Sequence, residues 1–204
     1  GQSCTAASRI LVEDRVHDAF VQRLKAKVDA MKMGDPLDEA TDIGSIISKP
    51  QYEKVLSYIK LGEAAPGAMT LRCSSLPADG ALKRGYFVQP VIFCGIENDH
   101  KVAREEIFGP VTCIIRFKDY EDAIRQANDT DYGLAATIWT RDLKTALDAT
   151  QRLEAGLVQV NQNMVVQANM SYGGVKQSGL GKEASLEAML EHFTHKKTII
   201  VNLN

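Results

Sequence analysis

The sequence predicts an α/β fold: a twisted, mostly parallel sheet with helices on both faces. Three observations predict it. First, β-type and helical segments alternate from residue 111 to residue 161, the order of a helix-covered parallel sheet. Second, the strand at 111–117 (VTCIIRF) is apolar almost throughout, as a strand buried on both faces must be. Third, 204 residues with 45% apolar and 25% charged content are enough to bury a real core.

Each element has a local reason. Residues 9–12 form a short apolar β-type run. Glu13-Asp14 then reads as a cap for a helix at 15–31, with Val16, Phe20, Leu24 and Val28 on one face and Gly34-Asp35-Pro36 after its end. Residues 37–50 are loop-like. A second helix is predicted at 50–64, with Tyr52, Val55, Leu56 and Ile59 inward. The Gly-, Pro- and Ser-rich stretch 66–86 leads into β-prone pieces near 69–72 and 86–88. Beyond the strand at 111–117 come a helix at 120–127, a strand at 134–140, a helix at 143–153 and a strand at 156–161 (GLVQVN). A long Gly- and Asn-rich loop spans 162–181, followed by a helix at 183–191. A last β-type run, KTIIV, lies at 197–201.

Composition excludes several classes. A net charge of −2 gives no basic field for nucleic acid or an acidic membrane surface. No apolar run approaches the ~18 residues of a membrane span. The cysteines are Cys4, Cys73, Cys94 and Cys113; the histidines are His17, His100, His192 and His195. No C-x-x-C pair and no metal-ligand spacing joins them, so no metal site is expected. Free thiols of this kind fit a reduced, cytoplasmic compartment.

The first residues, Gly1-Gln2-Ser3-Cys4-Thr5-Ala6-Ala7, carry the chemistry. A helical turn at 5–7 would place backbone N–H groups near the Cys4 sulfur, where they favour a thiolate and an oxyanion beside it. With neither initiator Met nor signal-peptide pattern, the chain reads as a piece of a longer protein, cut close to its reactive residue.

Four strings then occur in order: GQSC at 1–4, EEIFGP at 105–110, DYGL at 131–134 and GGVKQSGLGKE at 173–183. Together they resemble the catalytic domain of NAD(P)-dependent aldehyde dehydrogenases, over essentially all 204 residues. The resemblance implies that residues 1–194 form the catalytic domain. It makes 195–204 a carboxy-terminal oligomerisation strand, and it puts the amino-terminal cofactor-binding domain outside this chain. It makes Cys4 the nucleophile: a thiolate adds to an aldehyde, hydride leaves to NAD or NADP, and water hydrolyses the thioester.

The resemblance also implies that Glu106 accepts hydrogen bonds from the nicotinamide ribose and that Phe108 packs beside the nicotinamide. Gln51 and Lys54, one helical turn apart, match positions that approach the same ribose. Ser3, Thr5 and Tyr172 match substrate-contacting positions. Ser171-Tyr172 stands where the family usually has Pro-Phe, a departure that bears on substrate rather than reaction. The glycines at 173, 174, 179 and 181 lack the spacing of a phosphate loop and read as turn formers. The general base and the asparagine of the oxyanion hole would lie upstream of Gly1, so this chain alone is expected to be inactive. The intact protein is expected to be a homodimer or homotetramer acting on a small aldehyde. Two other readings are a CoA-acylating dehydrogenase or thiol-dependent esterase, and a non-catalytic assembly module.

Overall fold

The computed structural model describes residues 1–77, 80, 82–163, 167 and 169–203. Residues 78, 79 and 81 of the 66–86 stretch, 164–166 and 168 of the long loop, and 204 of the tail lie outside the described residues. The chain divides into two units, residues 1–130 and 131–204.

The first unit contains β1 (Arg9–Glu13), α1 (His17–Asp29), α2 (Lys49–Glu63), β2 (Met69–Arg72), β3 (Val91–Cys94), the short α3 (Lys101–Arg104), β4 (Val111–Phe117) and α4 (Tyr120–Asn128). The strand order is β1-β4-β3-β2. β4 pairs in parallel with β1 (Arg9 opposite Cys113) and with β3 (Val91 opposite Val111), and β2 is antiparallel to β3. Alternate residues of β4 serve two layers, as the pleat dictates. Val111, Cys113 and Ile115 join Val55 and Ile59 of α2 and Val102 of α3. Ile114 joins Ile92 and Cys94 of β3 and Val21, Leu24 and Val28 of α1. Helices therefore cover both faces of this sheet. Val55 and Ile59 are buried completely or nearly so, each stabilising the fold by about 2 kcal/mol.

Several boundaries differ from the sequence reading for local reasons. Glu13 makes no capping hydrogen bond, and the segment Asp14–Val16 is a 3-10 turn. Asp14 instead pairs with Arg116 at 2.7 Å, because the parallel register sets the ends of β1 and β4 side by side. The inward stripe of α1 is the buried His17 and Val21 with the half-buried Leu24 and Val28; Val16 and Phe20 lie at the exposed edge. The helix α2 starts one residue early, where the Ser48 hydroxyl accepts from the Gln51 N–H and Pro50 occupies the first turn. Residues 86–88 form no strand. Phe87 and Val88 are apolar because they are buried, and the Tyr86 carbonyl accepts from the Ile46 N–H. The strand is β3, just past Pro90; the sequence reading missed it.

A half-buried arginine ties the first unit together. Arg9 donates to Asn98 Oδ1 at 2.7 Å and to the carbonyls of Gln126 and Ala127 at 2.9 and 3.0 Å. Burial lowers its pKa, while neighbouring Asp129 opposes that shift. Removing the guanidinium takes this donor from Asn98 Oδ1 and the Ala127 carbonyl, while the Gln126 carbonyl keeps Asn98 Nδ2 at 3.2 Å. Arg9→Leu is expected to lower unfolding free energy by about 3 kcal/mol in urea titrations. The exposed pair Lys49–Glu53 is the control: Lys49→Met is expected to cost less than about 0.5 kcal/mol.

The second unit contains β5 (Tyr132–Gly133), β6 (Ala135–Ile138), α5 (Leu143–Arg152), β7 (Leu157–Val160), β8 (Val175–Lys176) and α6 (Leu186–Phe193). β6 and β7 pair in parallel, and β5 and β8 antiparallel. Parallel pairings thus outnumber antiparallel ones among the described residues, although the strands fall into three sheets rather than one. The Asp142 carboxylate caps α5, accepting from the Thr145 N–H at 2.7 Å. The last helix starts at Leu186 rather than 183, because Ser185 caps it and Glu183 pairs with Tyr172 instead. The expected strand at 197–201 is not formed. Among the described residues no ladder includes any of 194–203, and Ile199, Ile200 and Val201 are exposed. Among the described residues no helix is long and apolar enough to cross a membrane.

Candidate active site

The GQSC segment is held by short-range constraints on both sides. The Ala6 N–H donates to the Ser3 carbonyl at 3.0 Å, closing one tight turn around Cys4 and Thr5. The expected helical turn at 5–7 does not form. Thr112 Oγ1 donates to the Ala7 carbonyl at 2.8 Å and the Cys113 N–H donates to the Ser8 carbonyl at 2.9 Å, so the chain is already extended into β1. Upstream, Gln2 Oε1 accepts from the Ile47 N–H at 3.0 Å, and Gln2 Nε2 donates to the Ser45 carbonyl at 3.4 Å. A Cβ added at Gly1 would sit 1.9 Å from the Gly109 carbonyl oxygen, so the GQSC and EEIFGP strings touch there.

The EEIFGP loop lies between α3 and β4 and is fastened to α2. Lys54 Nζ donates to the Glu106 carbonyl at 2.7 Å. Gln51 Nε2 donates to the carbonyls of Ile107 and Phe108 at 2.7 and 2.9 Å. Phe108 has a φ of 51°, a left-handed conformation uncommon outside glycine. Gly109 is required by contact: a Cβ there would lie 2.5 Å from Val55 Cγ2. Glu105 turns away from the loop and accepts from the Tyr58 hydroxyl. Glu106 is exposed and Phe108 half-buried.

These two segments line a cavity of about 270 Å³. Ser3, Cys4, Glu106 and Phe108 are on its wall, which Leu24 and Val28 of α1 also line. Of the other sequence candidates, Thr5 stands outside the wall, with its hydroxyl 3.2 Å from that of Ser3. Gln51 and Lys54 lie behind the loop, their amino groups on backbone carbonyls. Tyr172 belongs to the second unit and exchanges two backbone hydrogen bonds with Glu183, at 2.7 and 2.8 Å. In that unit DYGL and GGVKQSG fold onto each other: Gly133 pairs with Val175, and the Gly133 N–H donates to Ser178 Oγ at 3.0 Å. Gly173 and Gly179 take positive φ, while Gly174 is needed for close packing on Ser178. Sequence reasoning missed Gln2 as an anchor and Lys182, which donates to the carbonyls of Gly173 and Gly174. Both stand inside the quoted strings, but hydrogen bonds to distant backbone leave no periodic signal.

The four thiols are unequal. Cys4 is exposed; Cys73, Cys94 and Cys113 are buried. Burial pushes all three buried thiols up, that of Cys113 to about 12. With limiting iodoacetamide at pH 7.5, Cys4 is expected to alkylate at least about 100-fold faster than Cys113. Peptide mapping reads this directly, and comparable labelling of the two would contradict the structure.

The model of the aldehyde dehydrogenase family matches residues 1–199. A betaine aldehyde dehydrogenase from Rhizobium johnstonii is 41% identical over 203 residues, covering 100% of this chain and 41% of that protein. A mitochondrial aldehyde dehydrogenase from Leishmania tarentolae is 43% identical over 199 residues, covering 98% and 39%. An aldehyde dehydrogenase structure from Bacillus cereus superposes with a TM-score of 0.89 at 35% identity, covering 100% of this chain and 40% of that one. A betaine aldehyde dehydrogenase from Staphylococcus aureus, solved in complex with NAD+, gives a TM-score of 0.88 at 34% identity, covering 93% and 38%. The chain therefore spans about two fifths of the length of these relatives.

Proposed function

Because this chain belongs to the aldehyde dehydrogenase family, we propose that the full-length protein oxidises an aldehyde to a carboxylic acid with NAD+, using Cys4 as nucleophile. The observation that carries this reading is the cavity holding the exposed Cys4 thiol together with Glu106 and Phe108. The Cys4 thiolate forms a bond to the aldehyde carbon, and the carbonyl oxygen takes the negative charge of a thiohemiacetal. When bound, NAD+ accepts the hydride from that carbon. Loss of hydride restores the carbonyl and leaves a thioester on Cys4. Water then adds, the C–S bond breaks, and acid and thiol are released.

The residues present fit one end of such a cofactor. A cavity of about 270 Å³ is small beside the ~300–1,000 Å³ of whole ligand pockets, so it suits a nicotinamide ring rather than a dinucleotide. The exposed Glu106 carboxylate can accept both ribose hydroxyls, and Phe108 offers an aromatic face. The rest of the cofactor site, the general base and the oxyanion asparagine belong to other parts of the full-length protein in this reading. This chain alone is then inactive, and residues 1–194 make the catalytic portion. Ser3, Thr5 and Tyr172 are proposed substrate contacts, and the free thiols fit a cytoplasmic setting.

The tail fits a role in assembly. Ile199, Ile200 and Val201 are exposed, as is the stripe Leu186, Met189, Leu190 and Phe193 on α6. Such a segment offers backbone and apolar surface to a neighbouring subunit, giving a homodimer or homotetramer.

The test of the activity is NADH formation by the full-length protein with a panel of aldehydes, with and without CoA. Turnover without CoA, releasing free acid, supports hydrolytic dehydrogenation. Strict dependence on CoA assigns the acylating reaction instead, and ester cleavage without NADH formation assigns a thiol esterase.

A further inference from the structure

We infer that Lys182 is a positioning residue: its ammonium gathers the carbonyls of Gly173 and Gly174 and so fixes the turn that carries Tyr172. The inference rests on the reading of Tyr172 as a substrate contact. Lys182 Nζ donates to the Gly173 carbonyl at 2.7 Å and to the Gly174 carbonyl at 3.1 Å. Successive carbonyls of an extended chain point to opposite sides. Here two of them converge on one cation. The backbone departs from the extended form at Gly173, whose φ of 153° glycine adopts without strain. Two carbonyl dipoles aimed at one point repel each other. An ammonium with three donors on a flexible stem relieves that repulsion and satisfies both oxygens.

The packing is shaped around this clamp. A Cβ at Gly156, just before β7, would sit 1.7 Å from the Gly173 carbonyl oxygen and 2.5 Å from Lys182 Nζ. A Cβ at Gly173 would sit 2.5 Å from the Gly181 carbonyl oxygen and 3.1 Å from Lys182 Cδ. The lysine stem therefore lies along Gly173 and its head against Gly156. Tyr172 and Glu183 exchange backbone hydrogen bonds at 2.8 and 2.7 Å, which closes residues 172–183 into a ring of chain that Lys182 crosses. The far side of that ring is fastened to other segments. The Gln177 N–H donates to the Asp131 carbonyl at 2.9 Å, Ser178 Oγ accepts from the Gly133 N–H at 3.0 Å, and Lys176 pairs with Glu154 at 2.6 Å. Lys182 acts on the near side, at the residue directly after Tyr172. Without the ammonium the two carbonyls turn apart toward water, and the peptide that sets the direction of the Tyr172 ring turns with them.

The experiment uses the full-length protein with Lys182→Met, Lys182→Arg and Tyr172→Ala. Amide hydrogen exchange is followed by mass spectrometry on peptides covering 170–176 and 132–138, and steady-state kinetics are measured beside it. Lys182→Met is expected to speed exchange in 170–176 at least about 10-fold, with 132–138 little changed. It is expected to raise the KM for aldehyde at least about fivefold while the KM for NAD+ changes less than about twofold. Lys182→Arg, which keeps a cation able to donate to both carbonyls, is expected to return both readouts to within about twofold of the unsubstituted protein. Unchanged exchange at 170–176 in Lys182→Met overturns the inference, whether or not the protein oxidises aldehydes. A raised KM for NAD+ with the KM for aldehyde kept assigns Lys182 to cofactor contact and overturns it too. Tyr172→Ala tests the underlying reading separately. If it leaves the KM for aldehyde unchanged while Lys182→Met speeds exchange, the clamp stands and the substrate role of Tyr172 falls. If Lys182→Met fails to fold, Lys182→Gln, whose amide falls short of the carbonyls, is read in the same way.

Discussion

Replacing Cys4 by alanine in the full-length protein is expected to lower kcat for aldehyde oxidation by at least about 10,000-fold, with the fold unchanged. The size follows from the chemistry. Without the sulfur there is no covalent adduct, and hydride would have to leave an aldehyde hydrate formed from free water. Fold should survive, because Cys4 is exposed and lies in a turn closed by backbone atoms of Ser3 and Ala6. The loss should therefore appear in kcat, with circular dichroism and thermal midpoint within error of the unsubstituted protein. Residual activity above about 1% would mean that another group performs the addition. None of the other thiols can do so from its place, since all three are buried with raised pKa values.

Glu106→Gln is expected to slow hydride transfer about 100-fold while weakening NAD+ binding less than about threefold. The side chains are nearly isosteric, so the loop held by Gln51 and Lys54 should keep its shape. What is lost is a carboxylate that accepts two hydroxyls at once, and with it the fixed orientation of the ring it would hold. Stopped-flow measurement of the first turnover separates the two effects. A large rise in the dissociation constant with an unchanged hydride-transfer rate would mean that Glu106 only binds.

Legibility followed the range of the interaction. The strand at 111–117 was readable because both of its faces are buried, and the helix over 49–63 because its apolar face repeats at helical spacing. The strand β3 escapes the sequence reading because its apolar run is only four residues long, between Pro90 and Gly95; its place is fixed by pairing with β4. On α1 the sequence places Leu24 and Val28 inward correctly, but the first half of the stripe is one residue off, because His17 and Val21 are buried where Val16 and Phe20 are exposed. The tail reads as a strand from its β-branched residues, yet a ladder needs a partner, and among the described residues no ladder includes 197–201. At the site, Cys4, Glu106 and Phe108 were visible as strings, and the structure brings them to one cavity. That Gln51 and Lys54 donate to backbone carbonyls more than 50 residues away could not be read from spacing, because such contacts depend on tertiary placement alone.

The most direct test of the central claim is acid quenching of the full-length protein a few milliseconds after mixing with aldehyde and NAD+, followed by peptide mass spectrometry. The account predicts an acyl group, lost on treatment with hydroxylamine, on the peptide containing Cys4 and on no peptide containing Cys73, Cys94 or Cys113. NADH formation without any acyl group on Cys4, or an acyl group on another residue, would contradict it.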